Sequence, residues 1–369
     1  MGNPLLAIRA LGQSIWLDNI SRELLDTGTL ARLIAEDGIS GVTSNPTIFE
    51  KAIGHSSLYD RPLIAGARDG LDAREIFFKL AYADIQDGAE LLRPTYDEAD
   101  GQDGHISFEL PPELARDATG SIEAAKRIKG EIDRPNVFIK VPATPEGVDA
   151  FRELTAAGVS VNVTLLFAVD RYEEIANAWI DGIERRVDTG EPVDRLASVA
   201  SFFVSRVDSK VDARLEQLGR SDLAGIAAVA NAKLAYRSFE RLFSGPRWEA
   251  LAAKGAHVQR PLWASTSTKN PAYPDTLYVD TLIGPHTVNT MPEATIDATR
   301  DHGVAAVTID KKADVAEAHM AELEKIGVNL DLILKHELVD EGVESFTKSF
   351  DSLIATIHEK ALALAPAQA

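Results

Sequence analysis

Eight short runs rich in β-branched and aromatic residues recur along this chain, and longer segments with helical spacing separate them. The runs are Ser14–Asn19, Gly41–Asn45, Ile106–Leu110, Val137–Val141, Val161–Phe167, Ser198–Val204, Pro261–Thr268 and Leu277–Gly284. Strands that alternate with helices form a parallel sheet, because parallel neighbours need crossover connections. Eight is also the number that closes a TIM-type barrel, whereas an open doubly wound sheet is the other solution for such a pattern. The expected fold is therefore α/β, a (β/α)8 TIM-type barrel.

The segments between the runs carry helix signals. Ser21 reads as an N-cap, with Leu24, Leu25, Leu30, Leu33 and Ile34 on one face and Gly38 as the stop. Pro145-Glu146-Gly147 opens a helix closed by Gly158. Further helices are predicted over Asp170–Val187, over Asp222–Phe243 and from Pro292 to Gly303. The chain has 369 residues, against about 250 for a plain barrel. The surplus falls in a helical insertion at about 47–105, before strand 3, and in a C-terminal helix at about 341–364. No Pro/Gly/Ser-rich linker divides the chain, so one domain is expected over 1–369.

Charge and cysteine content narrow the function. With 38 Lys+Arg against 57 Asp+Glu, the net charge of −19 opposes non-specific nucleic-acid binding and anionic membranes. The absence of cysteine excludes disulfides, thiolate metal sites and cysteine nucleophiles. Met1–Leu6 shows no basic region followed by an apolar one, so no signal peptide is expected. Runs such as Leu165–Val169 are too short to span a bilayer. A cytoplasmic location is the expectation. No G-x-G-x-x-G, Walker A or H-E-x-x-H occurs, and the eight histidines are scattered; neither metal nor cofactor is expected.

The informative residues are polar ones late in apolar strands, where barrel enzymes hold their chemistry. Asp18 and Asn45 end the first two runs. Glu109 lies in the third and Lys140 in the fourth. Asn162 and Thr164 share one face of the fifth, by the period of two. Ser201 and Phe203 lie in the sixth, with Arg206 just beyond; Ser267 lies in the seventh, followed by Lys269. Singly, most have bland readings: Asp18 as a turn residue, Asn45-Pro46 as a turn signal, Arg206 and Lys269 as rim charges. Lys140 does not. A lysine between Phe138, Ile139 and Val141 is hard to place on a surface. Burial disfavours an ammonium, and the neutral amine attacks carbonyl carbon to give a Schiff base. Asp18 and Glu109 then suit general acid/base work, Thr164 can hold a water, Asn45, Asn162 and Ser201 can bind hydroxyls, and Arg206 and Lys269 can hold a phosphate. Together they suggest a class I aldol site.

At these residues the chain resembles the transaldolase family. The matching stretches are Trp16-Leu17-Asp18, Gly41-Val42-Thr43-Ser44-Asn45-Pro46-Thr47-Ile48-Phe49, Ile139-Lys140-Val141-Pro142-Ala143-Thr144 with Glu146-Gly147, Val161-Asn162-Val163-Thr164-Leu165-Leu166-Phe167, and Ser201-Phe202-Phe203-Val204-Ser205-Arg206. The resemblance implies a (β/α)8 barrel acting on sugar phosphates. It implies transfer of a dihydroxyacetone unit from sedoheptulose 7-phosphate to glyceraldehyde 3-phosphate, in the non-oxidative pentose phosphate pathway, by a monomer or homodimer. By position it implies Lys140 as the Schiff-base residue, Asp18 as acid/base in C–C cleavage, and Glu109 and Thr164 as proton relays through a water. It also implies Asn45, Asn162 and Ser201 as binders of the dihydroxyacetone part, and Arg206 on phosphate. Two features depart from the family. Lys269 stands where an arginine is common, and lysine lacks the bidentate fork. The chain is also longer than many members, and the family's final helix tends to cover the site. The nearest alternative is a fructose 6-phosphate aldolase-type lyase. Phe203 speaks against it, because that relative carries a tyrosine at the comparable place.

Overall fold

The computed structural model describes residues 2–364; Met1 and residues 365–369 of the expected domain lie outside the described residues. Eight strands close a barrel in chain order. They are β1 (Gln13–Leu17), β2 (Gly41–Val42), β3 (His105–Glu109), β4 (Val137–Pro142), β5 (Val161–Leu166), β6 (Ser198–Phe203), β7 (Arg260–Ala264) and β8 (Thr287–Met291). Every neighbouring pair is parallel, and β8 closes on β1 with Trp16 beside Thr290 and Leu17 beside Met291. The open-sheet alternative is thereby excluded.

Seven strands overlap the expected runs with shifted ends: β1, β3 and β7 begin one residue earlier, and β4 runs one residue longer. The eighth does not. Leu277–Gly284 holds a short helix, Leu277–Asp280, and the strand is Thr287–Met291. A short apolar run cannot be told from a buried helical turn by periodicity alone, and Tyr278, Val279, Leu282 and Ile283 are all buried. The true strand carries Thr287, Asn289 and Thr290, all buried, and so hides from a search for apolar runs. Strand seven also ends sooner than expected. Ser265 takes a left-handed φ of 56°, which turns the chain out of the sheet and leaves Ser267 in the following loop.

Helices were shifted for similar reasons. The stretch after Ser21 forms two helices, Arg22–Asp26 and Thr29–Asp37, with Gly28 at φ 71° between them. Ser21 does cap the first, accepting from Leu24 N at 3.2 Å. The helix expected from Asp222 starts at Ala227, after Gly225 at φ 75°. The helices used below are α1 (Pro46–His55), α2 (Ala73–Glu98), α3 (Pro145–Ala156), α4 (Ser205–Gln217) and α5 (Leu338–Leu364). Helix α5 begins earlier than expected, after a π turn over Ile333–Glu337.

The insertion and the C-terminal helix pack on each other beside the barrel mouth. Thr47 of α1 and Ser349 of α5 share a 2.8 Å hydroxyl contact. Phe77 of α2 meets Phe350 of α5 edge-on at 5.5 Å. Helix α5 also touches the barrel: a Cβ at Gly342 would lie 2.7 Å from Leu165 of β5.

One glycine sets the ground under β4. Thr144 caps α3 by accepting from Gly147 N at 3.0 Å, and it anchors to Ala115 O. A Cβ at Gly147 would fall 1.8 Å from Pro142 O, a contact no rotamer can relieve. Gly147→Ala is expected to destabilise the fold by about 2–3 kcal/mol through overpacking. Urea unfolding of the two proteins checks this, and an unchanged midpoint would remove the argument.

Candidate active site

Lys140 sits on β4 with Glu109 of β3 and Asn162 of β5 as its register partners. Its Nζ donates to Glu109 Oε2 at 2.9 Å and to Ser44 O at 3.0 Å. Lys140 and Glu109 side chains are only 6% and 8% exposed. A charge so deep needs a partner and hydrogen bonds, and these two contacts supply them. Burial holds the Glu109 carboxyl above its usual range; the pull of Lys140 works against this, and nearby Asp18 adds to it.

Asp18 follows β1 directly, tied by its N–H to Met291 O of β8 at 2.8 Å. Its Oδ1 accepts from Thr43 Oγ1 at 2.7 Å, and Thr43 Oγ1 lies 2.6 Å from Thr290 Oγ1. Burial raises the Asp18 carboxyl above its ordinary value, against the hydrogen bond from Thr43 and the charges of Lys140, Lys269 and Arg206.

Strand β5 shifts register between Val163 and Leu166, with Leu165 at a left-handed φ of 53°. Such a bulge re-aims neighbouring side chains. Thr164 is fully buried in the pocket wall, and its Oγ1 has no hydrogen-bond partner in the protein. Asn162 lies deeper and does not line the pocket. Its Nδ2 donates to Ser107 Oγ at 3.1 Å, and its Oδ1 accepts from Ser201 Oγ at 2.6 Å. Asn162 thus steadies Ser201, which does reach the pocket.

Asn45 has two roles in one place. Its Oδ1 caps α1 by accepting from Ile48 N at 3.0 Å, and its side chain lines the pocket. Arg206, in the first turn of α4, has its guanidinium over the Phe203 ring at 5.2 Å and near Phe346 of α5 at 5.9 Å. Lys269 Nζ donates to Ser267 Oγ at 2.8 Å.

All the residues singled out in the sequence except Glu109 and Asn162 therefore line one pocket of about 240 Å³; those two lie behind it. The pocket also takes Thr43, Ser265, Thr290 and Phe346. Thr290 lies on β8, a strand of mostly polar residues that no apolar run marks. Phe346 arrives on a helix far along the chain, with no local signal. Thr43 lies two residues before Asn45, and the period of two puts both on one face of an extended segment. Among the described residues, no three His, Asp or Glu side chains converge as metal ligands, and no helix is long and apolar enough to cross a membrane.

The family described as transaldolase/fructose-6-phosphate aldolase matches residues 15–357. The chain belongs to this family. The match runs from β1 into α5, so it includes the insertion and the last helix. Relatives named transaldolase cover nearly the whole chain. That of Frankia alni is 48% identical over 98% of each chain. That of Acidothermus cellulolyticus is 49% identical over 97% of this chain and 96% of its own. That of Trichodesmium erythraeum is 44% identical over 99% of each. The transaldolase stretches noted in the sequence thus lie on β1, the β2–α1 turn, β4, β5 and β6, all of which open onto the same pocket.

Proposed function

We propose that this chain is a transaldolase that moves a dihydroxyacetone unit from sedoheptulose 7-phosphate to glyceraldehyde 3-phosphate. The products are erythrose 4-phosphate and fructose 6-phosphate, within the non-oxidative pentose phosphate pathway. The observation that carries this reading is the buried Lys140 amine, held by Glu109 and Ser44 at the floor of a pocket that also holds Asp18, Arg206 and Lys269.

The steps follow from these groups. The Lys140 ammonium passes a proton to Glu109, and the amine adds to the donor's C2 carbonyl. Loss of water gives an iminium. The Asp18 carboxylate takes the C4 hydroxyl proton, the C3–C4 bond breaks, and its electron pair moves into the iminium to give an enamine. The aldose phosphate leaves. The enamine then attacks the aldehyde of the acceptor while Asp18 returns the proton, and water releases the new ketose. Thr164 Oγ1, otherwise unpartnered, holds the water that relays protons with Glu109. Asn45 and Ser201 bind hydroxyls of the retained unit, with Asn162 steadying Ser201. Arg206, Ser267 and Lys269 hold the phosphate. The same reading takes the chain as one barrel domain in the cytoplasm, monomeric or homodimeric, with sugar phosphates as its partners and neither nucleic acid nor membrane.

Borohydride reduction with fructose 6-phosphate, followed by peptide mapping, tests this. A dihydroxyacetone adduct on Lys140 supports it; no adduct, or one on another lysine, overturns it. The lyase reading is disfavoured by the apolar Phe203 ring in the pocket wall, which offers no proton to the enamine. Free dihydroxyacetone appearing as fast as transfer product would reverse that preference.

Phosphate contacts are made alike in ground and transition states, so Arg206→Ala is expected to act on KM. A lost hydrogen bond to a charged group is worth about 1.5–3 kcal/mol, so KM should rise roughly tenfold or more with little change in kcat. A large kcat loss at constant KM would contradict the role.

A further inference from the structure

A second recess, of about 490 Å³, adjoins the reaction pocket and shares Asp18 and Pro292 with it. Its outer wall is α1, which contributes Lys51 and His55 from one face, four residues apart. The pocket alone, at about 240 Å³, is below the roughly 300–1,000 Å³ usual for small-ligand sites. The recess supplies the missing room directly beside the acid/base group.

Lys51 is exposed there. Lys79, Lys210 and Lys335 each pair with a carboxylate, but Lys51 makes no ion pair among the described residues. It also stands near the phosphate group of cations. Burial weighs most against the Lys269 ammonium, Arg206 next, and Lys51 adds to them, with Asp18 opposing. Arg206 and Lys51 therefore both repel Lys269 in the free protein, and an anion between them relieves that repulsion.

The reaction proposed above, on which this inference rests, makes a chemical demand on such a group. Counted along the ketose, fructose 6-phosphate carries its phosphate on C6 and sedoheptulose 7-phosphate on C7. The cleaved C3–C4 bond is fixed over Lys140 and Asp18 in both cases. The phosphate must therefore sit one carbon further out for the longer substrate. We propose that Lys51 is a specificity residue that reaches from the recess to the phosphate of the longer aldose phosphate, while Arg206 and Lys269 serve both. The neighbouring Glu23 and Glu293, which also line the recess, limit how far any anion enters; Glu293 is itself held by Asn19 Nδ2 at 3.0 Å.

The test compares acceptors in the intact enzyme, with fructose 6-phosphate as donor for erythrose 4-phosphate and sedoheptulose 7-phosphate as donor for glyceraldehyde 3-phosphate. Lys51→Ala is expected to raise KM for erythrose 4-phosphate about tenfold and KM for glyceraldehyde 3-phosphate about threefold at most, with kcat little changed in both. Lys51→Arg should restore the lost affinity, and Lys79→Ala, a remote exposed lysine, should change neither. Equal effects on both acceptors, no effect, or failure of arginine to rescue would overturn the proposal. Wild-type protein that transfers to neither acceptor would overturn the functional reading itself, and this inference with it. Lys51 is exposed where α1 lines the recess, so loss of folding is not expected; unchanged circular dichroism of the Lys51 variants checks this.

Discussion

Lys140→Ala is expected to lower transfer by about 10⁴-fold or more, the scale on which removal of a covalent nucleophile acts, while leaving the barrel folded. The expectation for folding rests on Glu109. Breaking a buried ion pair is usually severe because it strands a charge. Here burial already favours the neutral Glu109 carboxyl, against the pull of Lys140, so removing Lys140 removes a group that holds it ionised. The Ser44 carbonyl, which accepts from Lys140 at 3.0 Å, loses one partner but keeps its place, because Ser44 Oγ still donates to Ser107 O at 2.7 Å. Turnover by coupled assay, borohydride trapping and thermal unfolding together check the case. Retention of more than about one per cent of activity would end the assignment of Lys140 as the Schiff-base residue.

Asp18→Asn is expected to reduce kcat for transfer by about 10²–10⁴-fold, with KM little altered. The amide keeps the shape of the carboxylate and still accepts from Thr43, so the change isolates proton transfer from packing. The pH dependence carries a sign. In the proposed cleavage Asp18 is the base and must be deprotonated, so activity is expected above its pKa and is lost as pH falls through it. Burial raises that pKa, so the acid limb of kcat/KM lies above the ordinary carboxylate range. Glu109 is raised too, with Asp18 among the causes, so the limb belongs to the pair. In Asp18→Asn the residual activity should show that limb moved or gone. A variant with wild-type kcat and an unmoved limb would take Asp18 out of the mechanism.

How much was legible in the sequence follows from what each residue type tolerates. Seven strands were readable because short β-branched runs bounded by turn residues have few other uses. The eighth was not. Thr287-Val288-Asn289-Thr290-Met291 looks polar, yet a strand in a barrel wall can bury threonine and asparagine if they are partnered. Asn289 Oδ1 accepts from Thr266 Oγ1 at 2.9 Å, a contact between β8 and the loop after β7 that local sequence does not announce. Lys140 stood out because a charge inside an apolar strand has no solvated alternative. Asn162 was readable as inward-facing but not as lying below the pocket, since alternation gives the face and not the depth. Phe346 and Lys51 lie on helices whose docking is decided by tertiary packing, and no spacing rule reaches them.

The packing of α5 beside the mouth has a consequence in time. Thr47 and Ser349 are 302 positions apart, and closure of β8 on β1 joins residues almost as distant. Contacts this remote must overcome loop-closure entropy before they return any energy, so they form late. Helical segments and adjacent strand pairs can assemble first. The cage around Arg206 needs Phe203 from β6 and Phe346 from α5, and therefore waits for the last of these events. If Arg206 binds phosphate as proposed, that ability is acquired only at the end of folding, and a partly folded chain carries Lys140 without it.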